Sequence, residues 1–159
     1  MKLNTPSTSA NIADLRRPTS AGEQQVRRWM DEFAAAVRAA DYQRARTLFA
    51  DDVVSFGSVA RMLVGIDQLA AEQWQRVWGC TRGFRFIDDQ ARVNVGDTIT
   101  WIASPWHSQG RDERGNWYDR HGRCTLILRR RDDGTWACCH SHFSKEPSSQ
   151  PTPPGVTPA

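Results

Sequence analysis

Two histidines near the end of the chain, His140 and His142, are separated by one residue. Apolar and polar residues alternate around them, as in a β-strand, so both rings would lie on one face. Two histidines placed in this way can chelate a metal ion. The opposite face of this strand is predicted to carry Ala137, Cys139, Ser141 and Phe143. Because the more apolar face covers the helices, the histidines belong on the outer face unless a bulge shifts the alternation. This pattern favours an outer polar network or a dimer contact over a cavity role, and both over a metal site.

The histidines lie on the second strand of a predicted β-hairpin that runs from Tyr118 to Pro147. A turn signal, Asp132-Asp133-Gly134, separates its two alternating runs. On the first run, the apolar face carries Cys124, Leu126 and Leu128. We expect the polar, outer face of the hairpin to form a homodimer contact through Asp119, His121, Arg123, His140 and His142.

Helices must precede this hairpin and position it. Ser20 and Glu23 have the spacing of a capping box. After them, apolar residues three and four apart predict a helix of about five turns. Its apolar stripe is Val26, Trp29, Met30, Phe33, Val37 and Ala40. Asp41 is a good cap for a second, short helix. A short strand over residues 53–56 and a third helical segment over residues 66–78 follow, and the rest alternates as strands do.

Helices followed by several long antiparallel strands predict an α+β fold, with the helices gathered on one face of a curved sheet. Such a sheet encloses space for a cavity. The predicted domain covers residues 21–146. Residues 1–20 are rich in Ser, Thr, Asn and Pro, and residues 147–159 are rich in Pro, so we expect both to be flexible tails.

The composition limits the function further. With 159 residues, 39% of them hydrophobic, the chain holds one domain large enough for a core with a cavity. The net charge of +3 comes from arginines mixed with acids, so no nucleic-acid partner is expected. No signal peptide or membrane span is evident. The four cysteines follow no metal-binding spacing. We therefore expect reduced thiols in a cytoplasmic protein without a cofactor.

Five segments carry a family resemblance in their order along the chain. They are FADDVVSFG, VGID, VGDTITWIAS, GRCTLILRRRDDGTW and the closing HSHFS. In this order they resemble the SnoaL-like and ketosteroid-isomerase-like branch of the nuclear transport factor two-like superfamily, over residues 22–146. The resemblance implies a cone-shaped half-barrel wrapped around a long helix and two shorter ones. It also implies a pocket at the open end and, frequently, a dimer through the outer sheet face.

Steroid isomerases of this fold use an oxyanion-donating Tyr, a general-base Asp and a protonated acid. Alignment by eye places these roles on Phe33, on Phe56 and on or near Leu126. None of these side chains can donate to an enolate or accept a proton, so isomerase chemistry of that kind is not expected here. The three residues remain candidates for lining an apolar ligand pocket.

The resemblance also places one face of a later strand toward the pocket. That face consists of Ile99, Trp101, Ala103, Pro105 and His107. A histidine at a cavity mouth can act as a general acid or base near neutral pH, which makes His107 the candidate catalytic residue. The alternative is a solvated ring at a strand end. Asp52 and Asp119 are candidate carboxylate partners, and Tyr118 and Ser141 are candidate hydrogen-bond donors to a ligand.

Seven tryptophans in one small domain indicate either a deep apolar cavity for a flat hydrophobic ligand or a plain aromatic core. Four of them are predicted to point inward, namely Trp29, Trp74, Trp78 and Trp101. The predicted ligand-binding residues are Phe33, Phe56, Trp74, Trp101, Tyr118, Leu126, Ser141 and Phe143.

Two hypotheses follow, because a fold alone does not name a function. The first is a cofactor-independent isomerase, cyclase or dehydratase that acts on a small hydrophobic molecule by general acid/base catalysis through His107. The second is a non-catalytic ligand-binding or dimerisation module of the same fold. A cavity without titratable lining residues would contradict the first hypothesis.

Overall fold

The computed structural model describes residues 20–146, which form helices packed against one curved mixed sheet. The predicted α+β fold class is confirmed. Of the two predicted tails, residues 1–19 and 147–159 lie outside the described residues.

The helices occupy the first half of the described chain. They are α1 (Ala21–Ala39), α2 (Tyr42–Thr47), α3 (Ile66–Leu69) and α4 (Gln75–Val77). A π-helical turn, Ala70–Trp74, joins α3 to α4, and a 3-10 turn, Trp78–Cys80, follows α4. The helix predicted over residues 66–78 is therefore broken into four short pieces. No helix in residues 20–146 is long and apolar enough to cross a membrane.

Within residues 20–146, seven strands form the sheet. They are β1 (Phe49–Phe56), β2 (Met62–Val64), β3 (Thr81–Phe86), β4 (Arg92–Val95), β5 (Ile99–Arg111), β6 (Trp117–Arg130) and β7 (Trp136–Lys145). The strand order is β2-β1-β7-β6-β5-β3, and β4 pairs with β5 beside β3. All neighbours are antiparallel except β1 and β7, which run parallel.

Both predicted helix caps form. The Ser20 hydroxyl accepts a hydrogen bond from the Glu23 amide at 3.1 Å, and the Asp41 carboxylate accepts one from the Arg44 amide at 3.0 Å. Ala40, in the left-handed conformation with φ 49°, ends α1. The predicted apolar stripe of α1 is buried through Val26, Trp29, Met30, Phe33 and Val37. This stripe holds the helix against the inner face of the sheet.

Aromatic rings fill the space between α1 and the sheet. The Phe33 ring lies 5.6 Å from Trp29, 5.3 Å from Phe49 and 6.0 Å from Trp78, measured between centroids. The Trp29 indole donates its N–H to the Leu48 carbonyl at 3.1 Å, so this buried donor is paired. Tryptophan-rich packing therefore makes up the core on one side of the domain.

A bulge in β7 changes the predicted alternation of the closing hairpin. Ile127 pairs with His140, but the next residue of β6, Leu128, pairs with Cys138, so Cys139 has no partner. Before the bulge, Trp136 and Cys138 are buried in the core. The sequence predicted that Ala137 and Cys139 share the inward face with Ser141 and Phe143. For Ala137 and Cys139 this prediction was wrong, because the bulge turns Trp136 and Cys138 inward instead. Beyond the bulge, Ser141 points inward and the two histidines stay on the outer face, as the alternation predicted.

The face of β5 that points inward is the opposite of the face predicted from the sequence. Its buried residues are Thr100, Ile102, Ser104, Trp106, Ser108 and Gly110. The reason is the pairing with β6, because directly opposite residues share a sheet face. Ile102 lies opposite Leu126, and Leu126 is fully buried. The other set of residues, which includes Trp101 and His107, therefore faces outward.

All four cysteines are free thiols. Cys124 and Cys138 are buried, Cys139 is half-buried and Cys80 is exposed. Burial raises the pKa of Cys124 to about 12 and the pKa of Cys138 well above its ordinary value. The two buried thiols therefore stay protonated and unreactive in the folded protein.

Labelling of the native protein with a thiol-specific disulfide reagent at mildly alkaline pH should modify Cys80 first. Cys124 and Cys138 should react only after unfolding, because they are both inaccessible and protonated. Peptide mass mapping at successive times measures the order, and a Cys80→Ser variant should lack the fast phase. Rapid labelling of Cys138 in the folded protein would contradict its burial.

Gly122 makes room for the Trp106 ring on the neighbouring strand. A Cβ at this position would lie 2.2 Å from Trp106 Cζ2 and 2.3 Å from the Ser144 carbonyl oxygen. We expect Gly122→Ala to lower the free energy of unfolding by about 1–3 kcal/mol, measured by chemical denaturation. Gly79→Ala is the matched control, because its added Cβ would meet nothing within 4 Å. Equal stability of both variants would refute this packing of Trp106.

Candidate functional site

A cavity of about 70 Å³ lies between the helices and the inner face of the sheet. A single buried water needs only about 10–15 Å³ measured in this way, so the cavity has room for a larger occupant. Its apolar lining is Phe33, Val37, Phe49, Leu69, Trp74, Val77, Trp78, Phe84, Trp106 and Phe143. Its polar lining is Ser55, Ser58, Gln73, Thr81, Ser108, Arg120 and Ser141, with Gly57 beside them.

The helical side of the cavity is an aromatic wall. The Trp74 and Trp78 rings stack with centroids 4.9 Å apart, and the edge of Phe49 meets Trp74 at 5.1 Å. Residues four apart on a helix lie on the same face, which places the two indoles next to each other. A wall of this kind offers a broad apolar surface to a flat ligand.

A pair of buried serines forms part of the polar side. Ser55 on β1 and Ser141 on β7 lie within 2.7 Å, measured between their hydroxyl oxygens. Each is 2% exposed. One hydroxyl donates to the other, which leaves one hydroxyl hydrogen of the pair for a further acceptor. The pair therefore presents a hydrogen-bond donor at the cavity wall.

Arg120 is the most unusual residue of the lining. It is half-buried, and its Nη2 donates to Thr81 Oγ1 at 2.6 Å and to the Gln109 carbonyl at 3.3 Å. No carboxylate in residues 20–146 forms an ion pair with it. Burial lowers the pKa of the Arg120 guanidinium, because the charged form has lost part of its hydration. The cavity thus contains a cation without a counterion from the described chain.

Buried polar atoms without a hydrogen-bond partner are concentrated here. Among the described residues, four of the six such side-chain atoms belong to the cavity lining. They are Gln73 Oε1, Trp106 Nε1, Ser108 Oγ and Arg120 Nε. Buried polar groups are nearly always paired in folded proteins, so an unpaired set needs an explanation. A bound molecule that supplies the missing partners is such an explanation.

Two glycines clear space for the polar lining. A Cβ on Gly110 would lie 2.8 Å from Arg120 Nε, and a Cβ on Gly57 would lie 2.3 Å from Gln73 Oε1. Any larger residue at either position would push the neighbouring polar group out of its present place. The absence of side chains at Gly57 and Gly110 therefore helps to set the position of Gln73 and Arg120.

The predicted ligand-binding residues fall into two groups. Four of them line the cavity together, namely Phe33, Trp74, Ser141 and Phe143. Leu126 is fully buried in the core outside that lining. Phe56, Trp101 and Tyr118 are 38%, 43% and 45% exposed and do not line the cavity. For Phe56 and Trp101 the cause is strand alternation, which makes Ser55 and Ile102 the inward residues of their strands.

His107 lies on the outer face of the sheet, not at the cavity. Its Nε2 is 3.0 Å from Asp119 Oδ1, and its ring centroid is 4.8 Å from that of His121. Hydrogen bonds from Gln109 and His107 lower the pKa of Asp119. Of the two candidate carboxylate partners, Asp119 is thus the one that His107 meets. Asp52 instead pairs with Arg129 at 2.7 Å.

The outer face of the closing hairpin carries a small aromatic cluster. Phe56 meets the rings of His140 and His142 edge to face, with centroids 5.7 and 5.5 Å apart. Arg123 Nε donates to the Ser144 hydroxyl at 3.3 Å. In the part of the chain that the structure describes, no group of three or more His, Cys, Asp or Glu side chains could hold a metal ion.

Sequence reasoning missed most of the polar lining, although one signal was present. Arg120 is separated from Cys124 and Leu126 by an even number of positions, so it shares the strand face that was predicted to point inward. A charged residue in register with an apolar face is informative because charges are rarely buried without a partner. Ser55 and Ser108 carried no comparable signal, since their orientation depends on strand pairing.

Comparison with solved structures identifies the fold. An NTF2-like superfamily protein from Salmonella enterica matches with TM-score 0.70 and 15% identity, covering 84% of this chain and 96% of its own. A ketosteroid isomerase-like protein from Erwinia carotovora atroseptica matches with TM-score 0.67 and 18% identity, covering 79% and 96%. The association domain of CaMKII from C. elegans matches with TM-score 0.62 and 17% identity, covering 79% and 97%. At these identities the likeness shows the fold alone.

A search of curated protein sequences found no match. The sequence profile of the SnoaL-like domain, in contrast, matches residues 26–147. This range includes every element of the sheet and the whole cavity lining. The match confirms the resemblance seen in the sequence, and the chain belongs to the SnoaL-like domain family.

Proposed function

We propose that this protein is a non-catalytic module that binds a small, flat, largely apolar molecule in its cavity. The observation that carries the proposal is the chemistry of the lining. Within residues 20–146, Arg120 is the only titratable side chain that lines the cavity. Arginine stays protonated in proteins and cannot accept a proton from a substrate. The lining can therefore hold and orient a ligand but offers no general base.

The enzyme hypothesis depended on His107 facing the cavity. With His107 on the outer face, hydroxyl groups such as Ser141 remain inside without a neighbouring base to activate them. Other proteins of this fold bear isomerase-like names, but those names describe those proteins. The binding hypothesis needs only the aromatic wall and the polar groups that are present.

We further propose that the protein forms a homodimer through the outer face of β6 and β7. Asp119, His121, Arg123 and His142 are exposed there, and His140 is half-buried beside the exposed Phe56 ring. Aromatic residues are enriched at protein interfaces relative to the rest of the surface, so the exposed Phe56 ring supports the proposal. The association domain among the structural neighbours gives a precedent for assembly through this fold. The free cysteines favour a cytoplasmic location.

Filling the cavity should weaken ligand binding. Indole, a flat neutral probe, should bind the wild-type protein in isothermal titration calorimetry, and Ser141→Leu should weaken its affinity by roughly tenfold or more because the added atoms occupy the cavity. His107→Leu is the matched control on the outer face and should bind as the wild type does. Thermal melting verifies that each variant is folded. Loss of indole binding in His107→Leu with full binding in Ser141→Leu would refute this assignment of the cavity.

Introducing acids on the outer face should dissociate the dimer. In a twofold interface each substitution occurs twice, so His140→Glu/His142→Glu places four new acids in one contact. Light scattering after size-exclusion chromatography should give a dimeric mass for the wild type and a monomeric mass for the double variant. Arg114→Glu, in the turn between β5 and β6, should remain dimeric. A monomeric wild type, or a dimeric double variant, would contradict the proposed interface.

A further inference from the structure

We infer that the ligand of this cavity is a monocarboxylate, whose carboxylate binds Arg120, Trp106 and Ser108 while its apolar body lies against the aromatic wall. The inference rests on the proposed function, since it names the chemical class of the molecule that the cavity binds. It follows from four features of the lining: an uncompensated charge, the grouping of unpaired donors, an excess of donors over acceptors, and two glycines that leave space for the donor side chains.

The first feature is the charge of Arg120. This guanidinium is half-buried and makes its hydrogen bonds to neutral oxygens, those of Thr81 and Gln109. A buried charge without a counterion is costly, whereas a carboxylate on arginine forms strong charge-assisted hydrogen bonds. A ligand with one negative charge would neutralise the site. A phosphate monoester, with close to two negative charges at neutral pH, would leave an excess negative charge among apolar rings.

The second feature is the grouping of unpaired donors on two adjacent strands. Ser108 on β5 lies directly opposite Arg120 on β6, so their side chains start from neighbouring positions on the inner face. Trp106 is two residues before Ser108 and shares that face. The unpaired Nε of Arg120, Nε1 of Trp106 and Oγ of Ser108 therefore come from one patch of the sheet. We place the anionic group of the ligand at this patch, where the three side chains start from neighbouring positions.

The third feature is the balance of donors and acceptors. Arg120 Nε and Trp106 Nε1 can only donate, and the Ser108 hydroxyl can donate as well. A carboxylate has only acceptors, which makes it the natural complement of this set. Gln73 Oε1 is an acceptor, but its carboxamide can turn over and present the NH₂ group instead.

The fourth feature is the space beside the donors. A Cβ on Gly110 would lie 2.8 Å from Arg120 Nε, and a Cβ on Gly122 would lie 2.3 Å from Trp106 Cε2, the ring atom bonded to the unpaired nitrogen. These glycines occupy inward positions on β5 and β6, where side chains would otherwise fill the patch. Both unpaired N–H donors thus depend on a neighbouring residue that lacks a side chain.

Benzoate and benzamide are the matched probes for this inference. They are both flat and have the same number of non-hydrogen atoms, but only benzoate carries a charge at neutral pH. In isothermal titration calorimetry of the wild-type protein, we expect benzoate to bind on the order of tenfold more tightly than benzamide, since a charge-assisted pair replaces a neutral one. Indole, which is neutral, measures cavity binding independently of charge.

Arg120→Gln should remove the preference for benzoate over benzamide. Arg85→Gln is the matched control, because Arg85 is exposed on β3 and does not line the cavity. Gly110→Ala tests the same point without altering the arginine, since its Cβ displaces the guanidinium, and it should also reduce the benzoate preference. Benzoate should raise the melting temperature of the wild type and of Arg85→Gln more than benzamide does, whereas the two probes should raise that of Arg120→Gln equally.

The outcomes separate this inference from the proposed function. Equal affinities of the wild type for benzoate and benzamide, with indole bound, would overturn the carboxylate assignment and leave the binding function standing. An unchanged benzoate preference in both Arg120→Gln and Gly110→Ala would also overturn it. If none of the three probes bound the wild type, both proposals would fail.

Discussion

The pairing of β5 with β6 is the constraint on which the rest of the structure depends. The two strands align through thirteen consecutive residue pairs without a bulge, from Ile99 opposite Arg129 to Arg111 opposite Trp117. Because opposite residues share a face, this register orients both strands together. It turns Ser108 and Arg120 inward and His107 and Asp119 outward. A shift by one residue would exchange the cavity lining for the outer surface.

The position of Arg120 explains how one fold accommodates a polar site inside an aromatic core. Its side chain enters the cavity where Gly110 leaves space, and Thr81 and a backbone carbonyl satisfy only one of its nitrogens. A fully apolar lining would be more stable in the empty protein, because a half-buried cation loses hydration without gaining a counterion. Retaining the cation is consistent with a site organised for an anionic occupant rather than for maximal stability.

The two faces of the sheet carry different chemistry. The inner face presents hydroxyl, indole and guanidinium donors beside stacked rings, and the outer face presents the imidazoles, the Asp119 carboxylate and an exposed phenylalanine. The outer groups are solvated or paired with each other, as in the His107–Asp119 contact. The proposed small-molecule binding and the proposed assembly therefore use opposite faces of the same sheet.

Local patterns in the sequence determined much of this protein. The helix caps at Ser20 and Asp41, the apolar stripe of α1 and the turn between β6 and β7 each depend on neighbours a few residues away. These local features led to the fold class, and five short segments led to the family. Four cavity residues, among them Phe33 and Ser141, were also identified, because their helix or strand has one clearly apolar face.

Only the tertiary structure decided which polar residues meet in the cavity. The bulge at Cys139 and the register of β5 decide which residues of β7 and β5 face inward. Both arise from pairing between strands, which the local sequence pattern does not reveal. A one-residue change in either would move His107 inward or Ser141 outward. The sequence alone therefore specified a sheet around an aromatic core, while strand pairing determined that the cavity contains an arginine and no histidine.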